Sequence, residues 1–300
     1  MHTAATATRA GEEGRPLSWA PSAHAVAGNG GTLTCAPSAD AVAGNVRPLS
    51  WAPSAHAVAG ERGMILDLHI HTSWNSADSN LSPIELIREA KRLGLDGVVV
   101  TEHDRGWDRF RARELAAEYD FLFLRGMEVS TDLGHILVCG LEEYVSGIQR
   151  AEKLRQVVDE VGGIMIAAHP FRRAFTPDFR NGKEPTPLTL AEAARRPIFA
   201  LLDGVEVCNG GSVDRENKFA MQVCDYLDLT PTGGSDAHSE LGIGCYATQF
   251  DDPIRTEADV IAALKQRRCR AVVLQRTKTG YYYEPSTQAA KFQHIEGWRS

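Results

Sequence analysis

The sequence predicts an α/β fold: a parallel sheet covered by helices and closed as a barrel of the TIM type or a distorted relative, with an open doubly wound sheet as the alternative. Three observations carry this reading. Beyond Met64, short apolar runs alternate with stretches of helical period. Most of the apolar runs are continuous, as strands buried on both faces require. Seven such units fit into about 210 residues, 64–275.

The elements follow in order. "MILDLHIH" (64–71) opens the folded region as a strand, and "SPIELIREAKRLG" (82–94) reads as a helix with Ser82 as cap, Pro83 in the first turn and Gly94 at the end. Strands are expected at "GVVVTEH" (97–103), "FLFLRGMEV" (121–129), "HILVCG" (135–140), "GIMIAAH" (163–169), "GVEVCN" (204–209) and "LTPTGGSD" (229–236). Further helices are expected at 147–163, 213–228 and 256–268. From about Arg276 the chain is polar, with a Tyr281-Tyr282-Tyr283 cluster, and 276–300 is expected to be a tail.

Residues 1–63 differ in kind. "RPLSWAPSAHAVAG" occurs at 15–28 and again at 47–60, with a degenerate copy, "CAPSADAVAGN", at 35–45. Such Ala-, Gly-, Pro- and Ser-rich repeats have few large apolar groups to bury, and a disordered extension or an upstream-start artefact is expected. The net charge of −7 argues against a general electrostatic grip on nucleic acid or an anionic membrane. No apolar run has the length of a membrane span, no compact signal-type segment occurs, and the six cysteines show no CxxC spacing. A soluble cytoplasmic protein with free thiols and no obligate protein partner is expected.

The chemistry begins in "LDLHIHTSW" (66–74). Period-two alternation puts Leu66, Leu68 and Ile70 on one side and Asp67, His69 and His71 on the other. His69, His71, His103 and His169 fall at the C-terminal ends of expected strands, His238 just beyond one, and His135 at the start of another. Asp67, Asp104, Glu128 and Asp236 join them at the end of the strands where parallel α/β folds carry their chemistry. Imidazoles and carboxylates gathered on one rim are the ligand types that first-row divalent metals prefer. No GxSxG elbow or P-loop offers another route.

"DLHIHT", "VVVTEHD", "RGMEVS", "GHILVCG", "AAHPFRR", "DGVEVCNG" and "GGSDAHSELGIG" occur in an order that resembles the successive motifs of the PHP (polymerase and histidinol phosphatase) domain, over about residues 64–275. The chain is most similar to the short stand-alone phosphoesterases of that family, relatives of nucleoside 3′,5′-bisphosphate phosphatases and 5′-to-3′ exonucleases. The resemblance implies a distorted (β/α)7 barrel holding two to three divalent ions, Zn2+ or Mn2+ with Fe2+ as an alternative. It assigns one ion to His69, His71, Glu128 and Asp236, and a second to Glu128, as a bridge, with His135 and His169. A third takes His103 and His238. Where many relatives carry its remaining Asp ligand this sequence has Ser76, so Asp78, two positions on, is the candidate. Asp104 is a candidate to orient His103 or move a proton, and Arg172 to reach a phosphate; Arg105 and Asn209 are weaker candidates.

The implied activity is hydrolysis of phosphate esters through a metal-activated hydroxide, with a nucleotide, a nucleoside bisphosphate or an oligonucleotide end as substrate. A PHP-like hydrolase of a non-phosphate ester or carbamate is the alternative, and a non-catalytic metal-binding module the third reading. The −7 charge favours a small phosphorylated substrate over long nucleic acid. Asp104 and Glu128 stand too close in sequence for the long inserted domain of some bisphosphate phosphatases.

Overall fold

The structure, a computed structural model, describes residues 63–176, 188–278 and 280–286. The repeats therefore lie outside the described residues, and the expectation for them is carried no further. Among the described residues no helix is long and apolar enough to cross a membrane.

Eleven strands and six α-helices alternate through the described chain: β1 (Met64–Ile70), α1 (Pro83–Leu93), β2 (Gly97–Val100), α2 (Arg109–Tyr119), β3 (Leu122–Arg125), β4 (Met127–Thr131), β5 (Gly134–Cys139), α3 (Ala151–Glu160), β6 (Ile164–Ala167), α4 (Leu190–Ala194), β7 (Gly204–Asn209), α5 (Asp214–Leu227), β8 (Thr230–Gly234), β9 (Tyr246–Phe250), α6 (Glu257–Lys265), β10 (Cys269–Arg276) and β11 (Tyr281–Pro285). They form a mixed α/β fold of two sheets, six strands in the order β11-β10-β9-β1-β2-β3 and five in the order β4-β5-β6-β7-β8. Two isolated parallel bridges, Ile70 with Ala237 and His103 with Glu128, join the sheets at the ends of β1 and β2.

Three expectations are corrected. The sheet is not all parallel: β1-β2-β3 and β6-β7-β8 are, but β4, β5 and β6 pair antiparallel, as do β1, β9, β10 and β11. Between Thr131 and Gly134 there is room only for a hairpin, which forces β4 and β5 antiparallel. Second, "FLFLRGMEV" is two strands. The chain leaves one sheet for the other at Gly126, where a Cβ would lie 3.0 Å from the side chains of Val99 and Thr101 and 3.1 Å from the Val138 carbonyl. Third, the expected tail contains β11, which pairs with β10 from Val272 to Arg276.

Local chemistry explains the elements that were legible. Ser82 caps α1 by accepting from the Glu85 N–H while Glu85 answers the Ser82 N–H, and Gly94 closes the helix in the left-handed region (φ 82°). Leu86, Ile87, Ala90 and Leu93 line its buried face. Helix α2 escaped sequence reading because it buries only Ala112 and Leu115. The described cysteines are free, and burial pushes the Cys139 thiol up to about 12 and Cys208 to about 11, which leaves both unreactive.

Candidate metal centre

Strand β1 carries the first two ligand candidates into the interior. Leu66, Leu68 and Ile70 join the apolar core, while Asp67, His69 and His71 are as deeply buried on the opposite side. A burial of two imidazoles is tolerated only if each nitrogen has an assigned task. The His69 Nδ1 lies 3.0 and 3.1 Å from the two oxygens of Glu206, so its proton sits there, held by the carboxylate. The His71 Nδ1 lies 3.3 Å from the Ser76 hydroxyl. That hydroxyl spends its only proton on Glu102, so it accepts from His71.

Both Nε2 atoms then present lone pairs to the same point, 3.1 Å apart. Glu128 Oε2 lies 3.5 and 3.3 Å from them, and Asp236 Oδ1 3.3 Å from each. Four acceptors converge with no donor among them. A tetrahedron whose centre is 2.0–2.1 Å from N and O ligands has an edge of about 3.3 Å, close to these separations. Glu128 Oε2 is also buried without an aligned hydrogen bond, although His103 Nδ1 stands 3.0 Å away, an expensive condition for a carboxylate oxygen that a cation relieves. The residues present fit a divalent ion.

The field agrees. Burial pushes the His69 imidazolium down, but Glu206, Asp236 and Glu128 outweigh it and hold the group well above its ordinary value. A proton and a divalent ion answer the same negative field. Conversely, burial raises the Glu128 carboxyl, yet the imidazoles of His69, His103, His135 and His169 hold it well below the usual range. Burial acts against Asp236 too, and there His69, His71 and Arg172 prevail in the same direction.

The remaining candidates gather around this core. Glu128 Oε1 lies 2.9 Å from His135 Nδ1 and 3.0 Å from His169 Nε2, so its two oxygens face two different groups of imidazoles. His103 and His238 both stack with the His71 ring, with ring centroids 4.2 and 4.4 Å away. Asp78 Oδ2 reaches both, 3.2 Å from His103 Nε2 and 3.4 Å from His238 Nε2. All nine expected ligands are thus brought together in overlapping groups. Ser76 supports His71.

The other two candidates are placed less simply. Arg172 pairs with Asp236 and donates to Asn209 Oδ1 at 2.7 Å, so its charge is already committed. Asp104 turns its carboxylate to the Ser130 N–H at 2.9 Å, and among the described residues it forms no hydrogen bond to His103. Its own N–H donates to the Glu128 carbonyl at 2.9 Å, so Asp104 pins β4 where Glu128 must sit. Asp104, His169 and Asp236 all hold positive φ (52°, 33° and 53°), a conformation uncommon among non-glycine residues.

A cavity of about 490 Å³ opens beside His135 and His169, with Leu133, Ile198 and Phe199 among its apolar walls and Arg172 and Arg196 among its charged ones. That volume suits a small organic ligand.

Residues 67–229 match the PHP domain family, and residues 214–269 the PHP-associated family. The chain belongs to the PHP family. An uncharacterized protein of Methanocaldococcus jannaschii is 30% identical over 156 residues, 49% of this chain and 82% of the archaeal one. The error-prone DNA polymerase of Mycobacterium bovis is 39% identical over 64 residues, which span 21% of this chain and only 6% of the polymerase. Among solved structures, a two-domain protein of Bacteroides vulgatus containing a predicted PHP-like metal-dependent phosphoesterase superposes with a TM-score of 0.50 at 22% identity. The match covers 69% of this chain and 64% of that one, and at such identity it speaks for the fold.

Two carboxylates of this PHP site escaped sequence reading. Glu206, within the β7 run, accepts from His69 Nδ1, from the His169 N–H at 2.8 Å and from Asn209 Nδ2 at 3.0 Å. Glu102 accepts from the Thr72 and Ser76 hydroxyls, the Thr72 N–H and the Trp107 indole. For Glu206 the available signal was an acid inside an otherwise apolar strand, in "GVEVCN"; Glu102 lies just past β2, between Thr101 and His103, where no such contrast marks it. Gly234 makes the first contact feasible, since a Cβ there would meet His69 and sit 2.8 Å from Glu206 Oε1.

Proposed function

We propose that this PHP protein is a metal-dependent phosphoesterase acting on small phosphorylated substrates. The observation that carries the reading is the convergence of two Nε2 lone pairs and two carboxylate oxygens, 3.1–3.5 Å apart, around a Glu128 whose other oxygen faces a second pair of imidazoles. Support for the fold comes from the Bacteroides vulgatus structure, and we read the two bridged sheets as a distorted relative of the (β/α)7 barrel.

His69, His71, Glu128 and Asp236 would hold one ion, Glu128, His135 and His169 a second, and Asp78, His103 and His238 a third, with Zn2+, Mn2+ or Fe2+ matching the donor set. Bound divalent ions supply charge compensation to phosphoryl oxygens and acidify water for in-line attack. The protein's own contribution is positional. Glu206 keeps the His69 proton on Nδ1, and the Glu102–Ser76 pair does the same for His71, so neither imidazole rotates or changes tautomer. Arg172 holds Asp236 from the far side. His135 and His169 face the cavity, so substrate approaches from that wall and its organic part rests on Leu133, Ile198 and Phe199. The test is hydrolysis by the metal-supplemented protein of phosphomonoesters, bisphosphates and short oligonucleotides beside chromogenic carboxyl esters, with elemental analysis of bound metal. Release of phosphate from none of the phosphate esters, with turnover of carboxyl esters, would replace this reading by the non-phosphate alternative.

A further inference from the structure

Of the charged groups around the cavity, Arg196 is the one without a carboxylate to balance it among the described residues. The chain carries 39 acidic and 32 basic residues, and its other well-placed arginines are paired: Arg125 with Glu142 and Glu257, Arg155 with Asp203, Arg172 with Asp236. Arg196 has no ion-pair partner among the described residues. Its guanidinium lies over the Phe171 ring, 5.2 Å from the centroid, and donates to the Pro170 carbonyl at 3.5 Å. These contacts orient the group without neutralising it. Asp132, an acid in the cavity wall, accepts from the Ala151 N–H at 2.9 Å and so serves the start of α3. Neighbouring Arg195 turns away and donates to the Ala191 carbonyl. Partial burial of Arg196 lowers its pKa from the usual value.

We propose that Arg196 is a specificity determinant, holding a second anionic group on the organic part of the substrate while His135 and His169 face the phosphate that is cleaved. The inference rests on the phosphoesterase reading and narrows its substrate class. The cavity brings Arg196, the apolar Leu133–Ile198–Phe199 wall and the two histidines onto one surface. Such a lining suits a phosphomonoester whose carbon skeleton is short or cyclic and ends in another phosphate or a carboxylate. Binding energy from this remote group raises the affinity for substrate without touching the reacting atoms.

Two matched pairs of probes test this: glycerol 3-phosphate against 3-phosphoglycerate, which adds a carboxylate, and adenosine 3′-monophosphate against adenosine 3′,5′-bisphosphate, which adds a phosphate. Calorimetric affinity and steady-state kinetics are measured on the metal-supplemented full-length chain, on Arg196→Gln and on Arg196→Lys. The expected result is a preference of about tenfold or more for the doubly charged member of one pair, the usual scale of a charge-assisted contact. Arg196→Gln removes that preference, with little change in kcat and less than about a twofold effect on the singly charged probes. Arg196→Lys keeps part of it. Which pair responds tells carboxylate from phosphate. No preference in either pair, a preference that survives Arg196→Gln, or equal weakening on all four probes would each overturn the proposal. If the wild-type protein shows an Arg196-dependent preference in binding but releases phosphate from none of these probes or of the wider phosphate-ester panel while turning over carboxyl esters, the phosphoesterase reading fails and the subsite stands.

Discussion

The inner and outer parts of the cluster are built to different standards. In the inner group His69, His71, Glu128 and Asp236 have side chains at most 4% exposed, and each imidazole has a buried carboxylate behind it, directly for His69 and through Ser76 for His71. In the outer group Asp78 is 58% exposed and His103 and His238 each 30%. His238 Nδ1 meets the Asp236 carbonyl at 2.9 Å and stands 3.8 Å from Asp236 Oδ1. Low dielectric and fixed orientation strengthen the inner site, whereas water screens and competes at the outer one. On the proposed reading, affinity for metal should therefore be graded across a single cluster, with Glu128 as the member shared by its parts.

Substitutions rank the parts. Glu128→Gln should have the largest effect, because the amide keeps the size but loses the charge that both groups of imidazoles face. Loss of at least one ion by elemental analysis and a fall in turnover by orders of magnitude are expected, with an unchanged circular dichroism spectrum. Unaltered stoichiometry and near-normal turnover would remove Glu128 from its shared position. Next is Glu206→Gln, which leaves the ligands intact but weakens the hold on His69 and should lower metal affinity or activity about 10–100-fold.

Ser76→Ala should be milder. It frees His71 Nδ1 and strands part of the Glu102 carboxylate, lowering stability by about 1–3 kcal/mol in denaturant unfolding and metal affinity by less than the Glu206 change does. The smallest effect is expected from Asp78→Asn, which should release the outermost ion at the lowest chelator concentration and leave the inner ions bound. The inner–outer distinction collapses if Asp78→Asn removes as much metal as Glu206→Gln, or if titration with chelator empties all sites in one step.

Much of this is legible in the sequence. The alternation in "LDLHIHTSW" put His69 and His71 on the face opposite Leu66, Leu68 and Ile70, because the period of a strand is a property of the chain itself. Helix α1 announced both its ends through Ser82, Glu85 and Gly94. The nine ligand candidates were legible through their resemblance to the PHP motifs, which summarises spacing along the chain. Local periodicity, however, does not report which strand a segment will pair with. Hence "FLFLRGMEV" looked like one strand, although contact with Val99, Thr101 and Val138 divides it at Gly126, and β11 looked like a tail until β10 supplied its partner.

The sequence by itself determined the types of ligand and the strand ends that deliver them, since residue identity and period two are local. Only the tertiary structure decided which nitrogen of each imidazole faces inward. That choice depends on Glu206, 137 positions from His69, and on Glu102, reached from His71 through Ser76. A carboxylate within an apolar strand has no assigned work until folding brings a donor to it, and burial without a partner is too unfavourable for the chain to leave that donor elsewhere.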